Sequence, residues 1–202
     1  MIEDGTAETS KTAENTAQGG CFGGWAVTPE DRLYHDTRWG RPEHDDRELF
    51  AMLCLEGQQC GLSWHLILKR EAAIRKAFYQ FDYEKLARLS EEETDAILEA
   101  PGIIRNKSKV RAAVKNAKAF LEVRKEFGSF DRYIWSFTDG RVIDHHLTRT
   151  EDIPASDELS EKVSKDLKKR GFSYIGPVIV YSYLEGIGVI NDHLDGCPFK
   201  YR

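Results

Sequence analysis

Residues 90–128 read SEEETDAILEAPGIIRNKSKVRAAVKNAKAFLEVRKEFG, and two helices joined by a tight connection are written in them. Ser90 followed three residues later by Glu93 is the signature of a reciprocal N-terminal cap. Pro101-Gly102 stops the helix so begun. A longer helix runs from about 107 to 126, with Val110, Val114, Ala117 and Leu121 on one side and basic residues on the other. Gly128 ends it. The connection Pro101-Gly102-Ile103-Ile104-Arg105-Asn106-Lys107 leaves the unpaired amides of a helix start facing outward. That is a ready phosphate site, with Lys107 and Lys109 as charges beside it. The same residues also fit a plain glycine-closed connection with solvated lysines, and Ile104 stands where a Gly-x-Gly hairpin has its second glycine.

Outward from this hairpin the helical period persists. Upstream, from Asp46 onward, Leu49, Phe50, Leu53 and Glu56 share one face, and Leu66, Ile67, Ile74, Ala77 and Phe78 follow with similar spacing. A short helix is expected near 83–89. Downstream, a helix carries Tyr133, Ile134 and Phe137, Asp139-Gly140 makes a turn, and a polar connector reaches Pro154. Ser156 is expected to cap a helix ending near Arg170, and Pro177 to open a buried one over 178–187. Strand-like alternation is scarce. The expectation is an all-α protein of seven or eight helices, a single domain over 21–202 with its helix-hairpin-helix near 91–126. Residues 1–20 carry four acids against Lys11 and no aromatics, which predicts a disordered acidic tail.

Composition narrows the classes further. The 202 residues are 41% hydrophobic and 31% charged, sufficient for an ordinary core. No apolar run approaches the ~18 residues of a membrane span, and no signal-peptide core follows Met1. Four cysteines are too few for a secreted disulfide framework. These features predict a cytoplasmic protein with no membrane partner, for which a monomer is the default expectation. Much of the net charge of −5 sits in the tail, whereas residues 103–132 hold nine Lys/Arg against three acids. Such a face is either simply solvated or turned toward a polyanion.

The segment Leu55-Glu56-Gly57-Gln58-Gln59-Cys60-Gly61-Leu62-Ser63-Trp64 directs a carboxylate inward, since Glu56 lies on the stripe of Leu49, Leu53 and Cys60. Burying an unpaired charge is costly. Glu56 therefore has either a structural partner or a pocket to line, where it and Trp64 together suit a flat cationic ligand. Trp25 and the run Tyr34-His35-Asp36-Thr37-Arg38-Trp39-Gly40 concentrate aromatics that serve as core or as pocket wall. Cys21 and His35 near one end, with His193 and Cys197 near the other, suffice for a closed tetrahedral zinc of structural kind. Cys54 and Cys60 read as core, and His145 and His146 as connector residues.

Taken together and in this order, Tyr34-His35-Asp36-x-x-Trp39-Gly40, Leu55-Glu56-Gly57-Gln58-Gln59-x-Gly61-Leu62-Ser63-Trp64, Gly102-Ile103-Ile104-Arg105 and Asn191-Asp192-His193-x-x-x-Cys197 resemble the DNA-3-methyladenine glycosylase I family. The resemblance covers about 21–197. It implies a helix-hairpin-helix DNA glycosylase fold with a zinc site tying the N- and C-terminal segments. It also implies a monofunctional base-excision repair enzyme that flips 3-methyladenine out of alkylated double-stranded DNA, hydrolyses its N-glycosidic bond and releases the base as product. By that likeness Glu56 is the catalytic carboxylate and a base contact, with Tyr34, Trp64, Trp39 and Trp25 around the base. Gly102, Ile104 and Arg105, with Lys107 and Lys109, take the DNA, and Cys21, His35, His193 and Cys197 hold a structural Zn2+.

Two features depart from the family pattern: Phe22-Gly23-Gly24 separates Cys21 from Trp25 where one residue is usual, and 29–33 lacks the family's first tyrosine. The wider superfamily places its catalytic carboxylate about 20–25 residues after the hairpin; counted from Gly102, Asp131 comes a few residues late and is read as capping the helix at Tyr133, in keeping with a cationic base that leaves without a strong acid. Two other classes predict different behaviour. A non-enzymatic DNA-binding module would be indifferent to Glu56 and Trp64, and a zinc-stabilised interaction protein would show no salt-dependent DNA affinity.

Overall fold

A computed structural model of the chain describes Cys21 and residues 25–201; the expected acidic tail lies outside the described residues. The described residues form nine α-helices in succession: α1 (Pro29–Thr37), α2 (Asp46–Gln59), α3 (Trp64–Ala77), α4 (Tyr83–Arg88), α5 (Glu91–Ala96), α6 (Lys107–Phe127), α7 (Phe130–Trp135), α8 (Glu158–Lys169) and α9 (Pro177–Gly186). Among the described residues there is no strand, only a parallel bridge between Ile143 and Ile190. None of these helices is long and apolar enough to cross a membrane.

Helix α2 is the hub, packing against α3, α6, α7 and α9. The sequence gives it one apolar face, but Leu49 through Glu56 are all buried, as expected of a helix enclosed by neighbours. Phe50 meets Phe120 of α6 with ring centroids 5.1 Å apart. On the other side α8 packs on α9, the apolar helix that Pro177 opens.

Four local expectations are corrected. Helix α1 was not foreseen, although Thr28 and Asp31 form a reciprocal cap and Pro29 opens it. Asp157, one residue beyond Ser156, caps α8. Ser129 caps α7, while Asp131 lies in its first turn, its carboxylate 2.7 Å from Nδ1 of His44. Cys60 is exposed just past α2, whereas Cys54 is in the core.

The hairpin forms as its residues predict. Ser90 and Glu93 cap α5 reciprocally, and Asn106 caps α6 by accepting from the Lys109 amide at 3.2 Å. Gly102 sits at φ +84°, and a Cβ there would lie 2.9 Å from Cβ of Ala73. Both backbone and packing therefore demand glycine. Gly102, Arg105 and Lys107 are exposed, with Lys107 paired to Asp95 at 2.8 Å. Lys109 departs from the expected exposed cation: it is buried, and its ammonium donates to the carbonyls of Gln58 at 2.8 Å and Cys60 at 2.6 Å. Those carbonyls are orphans at the end of α2, so Lys109 ties the hairpin helix to the helix that carries Glu56.

Candidate active site

One cavity of about 210 Å³ gathers side chains from five parts of the chain. Tyr34 comes from α1, Glu56 and Gln59 from α2, Trp64 from the first residue of α3, and Ser182 and Glu185 from α9, with Ile153 from the connector and Trp25 and Trp39 flanking α1. Ser63 places Trp64 by accepting from the Leu66 amide at 3.3 Å as the cap of α3. Ion pairs fix the frame behind it. Glu71 of α3 takes Arg38 at 2.8 Å and Arg75 at 2.9 Å, and Arg75 reaches Glu48 of α2 at 2.6 Å.

The wall is aromatic. Tyr34 lies 5.3 Å from Trp64 and 6.1 Å from Trp25, and Trp25 meets Trp39 edge-on at 5.2 Å. Within this wall Glu56 is 3% exposed, and its Oε2 is buried without a hydrogen-bond partner. Burial pushes its carboxyl from 4.5 to about 8. The indole Nε1 of Trp64 is likewise buried and unpartnered. Among the described residues no Lys, Arg or His lines the cavity. Its volume falls below the roughly 300–1,000 Å³ of sites for larger ligands. Size, aromatic walls and an uncompensated carboxyl suit one flat ring system, best a cationic one that favours the ionised form of Glu56.

The five expected base-contacting residues, Trp25, Tyr34, Trp39, Glu56 and Trp64, thus line one cavity. Four other lining residues were missed. Glu185 had a readable signal, being the lone charge in the apolar run 178–187. Ile153 had none, because the connector around it is polar.

Near the cavity the cysteine–histidine cluster assembles in part. The ligating atoms of Cys21, His35 and Cys197 lie within 4.8 Å of one another, with Nε2 of His35 3.0 Å from the Cys21 sulfur and 3.9 Å from that of Cys197. Zinc bonds of ~2.3 Å to sulfur and ~2.0 Å to nitrogen put tetrahedral ligands about 3.5 Å apart, so this donor set fits the ion. His35 is oriented by Asp36, 2.8 Å from its Nδ1, as a ligating histidine requires. His193 packs on His35 at 4.5 Å between centroids, its Nδ1 is held by Asn191 at 2.8 Å, and its Nε2 faces the His35 carbonyl at 3.2 Å. The fourth expected ligand is therefore adjacent but turned to the backbone. Gly40 leaves room for it: at φ +68°, a Cβ there would lie 2.9 Å from Nδ1 of His193. Trp39 stacks on His35 at 5.5 Å, so the cluster braces the cavity wall.

The two connector histidines have partners. Nδ1 of His145 lies 2.7 Å from the buried carboxylate of Asp192, which also accepts from the Tyr181 hydroxyl. His146 joins Asp144 and Asp195 in a second acidic group, but the Lys200 ammonium already neutralises both carboxylates at 2.7 Å.

A family model described as methyladenine glycosylase matches residues 25–201. The DNA-3-methyladenine glycosylase of Haemophilus influenzae is 43% identical over 167 residues, covering 83% of this chain and 90% of that protein. DNA-3-methyladenine glycosylase 1 of Escherichia coli is 42% identical, covering 86% and 94%. A solved structure of 3-methyladenine DNA glycosylase I from Staphylococcus aureus, which addresses recognition of 3-methyladenine, superposes with a TM-score of 0.86 at 37% identity, covering 91% and 97%. A match over nearly all the described residues, joined to identities of this size, means that the chain belongs to the methyladenine glycosylase family.

Proposed function

We propose that the protein excises 3-methyladenine from alkylated duplex DNA as a monofunctional glycosylase, taking the flipped nucleotide's base into the cavity of Glu56 and Trp64. One observation carries the reading: a buried, unpartnered carboxyl inside an aromatic cavity lined by no cation. Methylation at N3 makes adenine a cation, and such a base answers both the charge and the aromatic faces. A base within the stack is out of reach, so flipping must precede chemistry at a cost of a few kcal/mol.

The charged base is a good leaving group. As the C1′–N9 bond breaks, the base takes the bonding pair and departs neutral, while positive charge develops on the sugar. Water then adds at C1′ and gives up a proton. Glu56 supplies negative charge in a dry site where it is worth most, first to hold the cation and then to favour the oxocarbenium ion. None of the lining residues is a lysine, so no Schiff base forms and no lyase step follows. The hairpin, with Gly102, Arg105 and Lys107 exposed, takes the phosphates through helix-start amides and through Arg105 and Lys107.

The same reading gives Cys21, His35, His193 and Cys197 a structural zinc. Bound, it would cross-link the segments flanking the helical core and offer no open position. The converging ligands and the orienting contacts from Asp36 and Asn191 support it.

The test is chromatographic identification of bases released from duplex DNA treated with a methylating agent. Release of 3-methyladenine with 7-methylguanine retained is expected. Binding without release would leave a DNA-holding module and remove the enzyme.

A further inference from the structure

Glu185 is the one charged residue of the largely apolar helix α9, and its carboxyl is turned inward. It is 8% exposed, lines the same cavity as Glu56, and its Oε1 is buried without a hydrogen-bond partner. Its position is held by the backbone: the Glu185 carbonyl accepts from the Gly40 amide at 2.9 Å, which locks this turn of α9 to the loop after Trp39. Two carboxyls therefore face one small cavity, each with an orphan oxygen, and no lining residue carries positive charge. A group serving only packing has no reason to be a glutamate here, because an unpaired buried carboxyl costs stability that leucine would not.

Two like charges in one enclosed site cannot both ionise. The charges around Glu185 are acidic as well: Asp192, Glu56 and Asp157 add to the effect of burial in holding its carboxyl well above the ordinary range. When a cationic base enters, the further carboxyls of Asp192 and Asp157 acting on Glu185 favour proton loss from Glu56. Glu185 keeps its own, which makes it a hydrogen-bond donor.

We infer that Glu185 is a second base-reading residue: its protonated carboxyl donates to a ring-nitrogen lone pair of the flipped base while ionised Glu56 accepts from the adjacent amino group. This inference rests on the glycosylase reading above. Adenine presents an amino donor beside a ring-nitrogen acceptor, whereas guanine puts the acceptor O6 where the amino group would be. The acid–carboxylate pair thus satisfies an adenine edge and sets a carboxylate against an oxygen for guanine. A site built to hydrogen-bond one edge rejects the other through the group left unpaired.

The experiment compares wild type, Glu185→Leu and Glu185→Gln. Free 3-methyladenine is titrated against the cavity's tryptophan fluorescence, and release of 3-methyladenine and 3-methylguanine from methylated DNA is followed beside DNA affinity and the urea midpoint. Glu185→Leu should weaken 3-methyladenine binding by about tenfold or more and narrow the preference over 3-methylguanine, with DNA affinity and midpoint not lowered. Glu185→Gln, which keeps an N–H donor on a chain of the same length, should recover most of that loss. Unchanged 3-methyladenine affinity in Glu185→Leu would overturn the inference. So would parallel loss of binding and midpoint in both variants, which marks a structural role. If wild type neither binds nor releases 3-methyladenine, the glycosylase reading itself falls, and the Glu185 assignment with it.

Discussion

Glu56→Gln should make the protein more stable in alkali. In the folded chain burial raises Glu56 from 4.5 to about 8, while in the unfolded chain it titrates near its ordinary value. Between those limits the native state holds a proton that the unfolded state has lost, so stability falls as pH rises. The contribution is fully present below about pH 4.5 and gone above about pH 8. At ~1.36 kcal/mol per unit, the loss across the window is about 5 kcal/mol. Glutamine has the same shape and does not titrate. The difference in unfolding free energy between variant and wild type should therefore grow by roughly 1.4 kcal/mol per unit between about pH 5 and 8, then level off. Glu185 is common to both chains, and its coupling to Glu56 enters the difference only as Glu56 ionises, toward the upper end of the window. Urea unfolding followed by tryptophan fluorescence, at integral pH values through that range, measures it. A difference that does not change with pH would refute the reading of Glu56 as a buried, unpaired carboxyl.

The other expectations concern the hairpin, the cysteine–histidine cluster and the pH profile. Lys109→Met leaves the Gln58 and Cys60 carbonyls unpaired and should cost about 1–3 kcal/mol in urea unfolding without altering the salt dependence of DNA binding. Arg105→Ala should leave stability unchanged and lower the slope of log affinity against log salt by about one. Gly102→Ala, forced to φ +84° and against Ala73, should lose at least ~1 kcal/mol and weaken DNA binding measured by anisotropy. Elemental analysis should find one zinc per chain, absent in Cys197→Ser, whose thermal midpoint falls while 3-methyladenine release per folded molecule persists. Finally, kcat/KM should rise with pH through a midpoint near 8, because the free enzyme must ionise Glu56; a flat profile from pH 6 to 8 would contradict that role.

Elements with local signals were legible in the sequence. The cap at Ser90, the stop at Gly102, the long amphipathic α6 and the apolar α9 all follow from residues within one or two turns of each other. Helix α1 carried its own signals in Thr28, Pro29 and Asp31, but its aromatics drew the reading toward a wall. The fate of Lys109 was not legible: its ammonium caps a helix 49 and 51 residues away, a tertiary contact that no periodicity encodes. Within the site, Glu56 and Trp64 stood out because a carboxylate on an apolar stripe needs an explanation. Glu185 carries the same signal, a single charge in an apolar helix, and only the shared cavity brings the two carboxyls together.

In the proposed reaction Glu56 acts on the base and the hairpin holds the DNA. Single-turnover release of 3-methyladenine from methylated duplex DNA, measured for wild type and Glu56→Gln beside their affinities for the same DNA, separates the two directly. Glu56→Gln should lose excision and selectivity for 3-methyladenine while DNA affinity stays near wild type. Equal loss of excision and DNA affinity would contradict it.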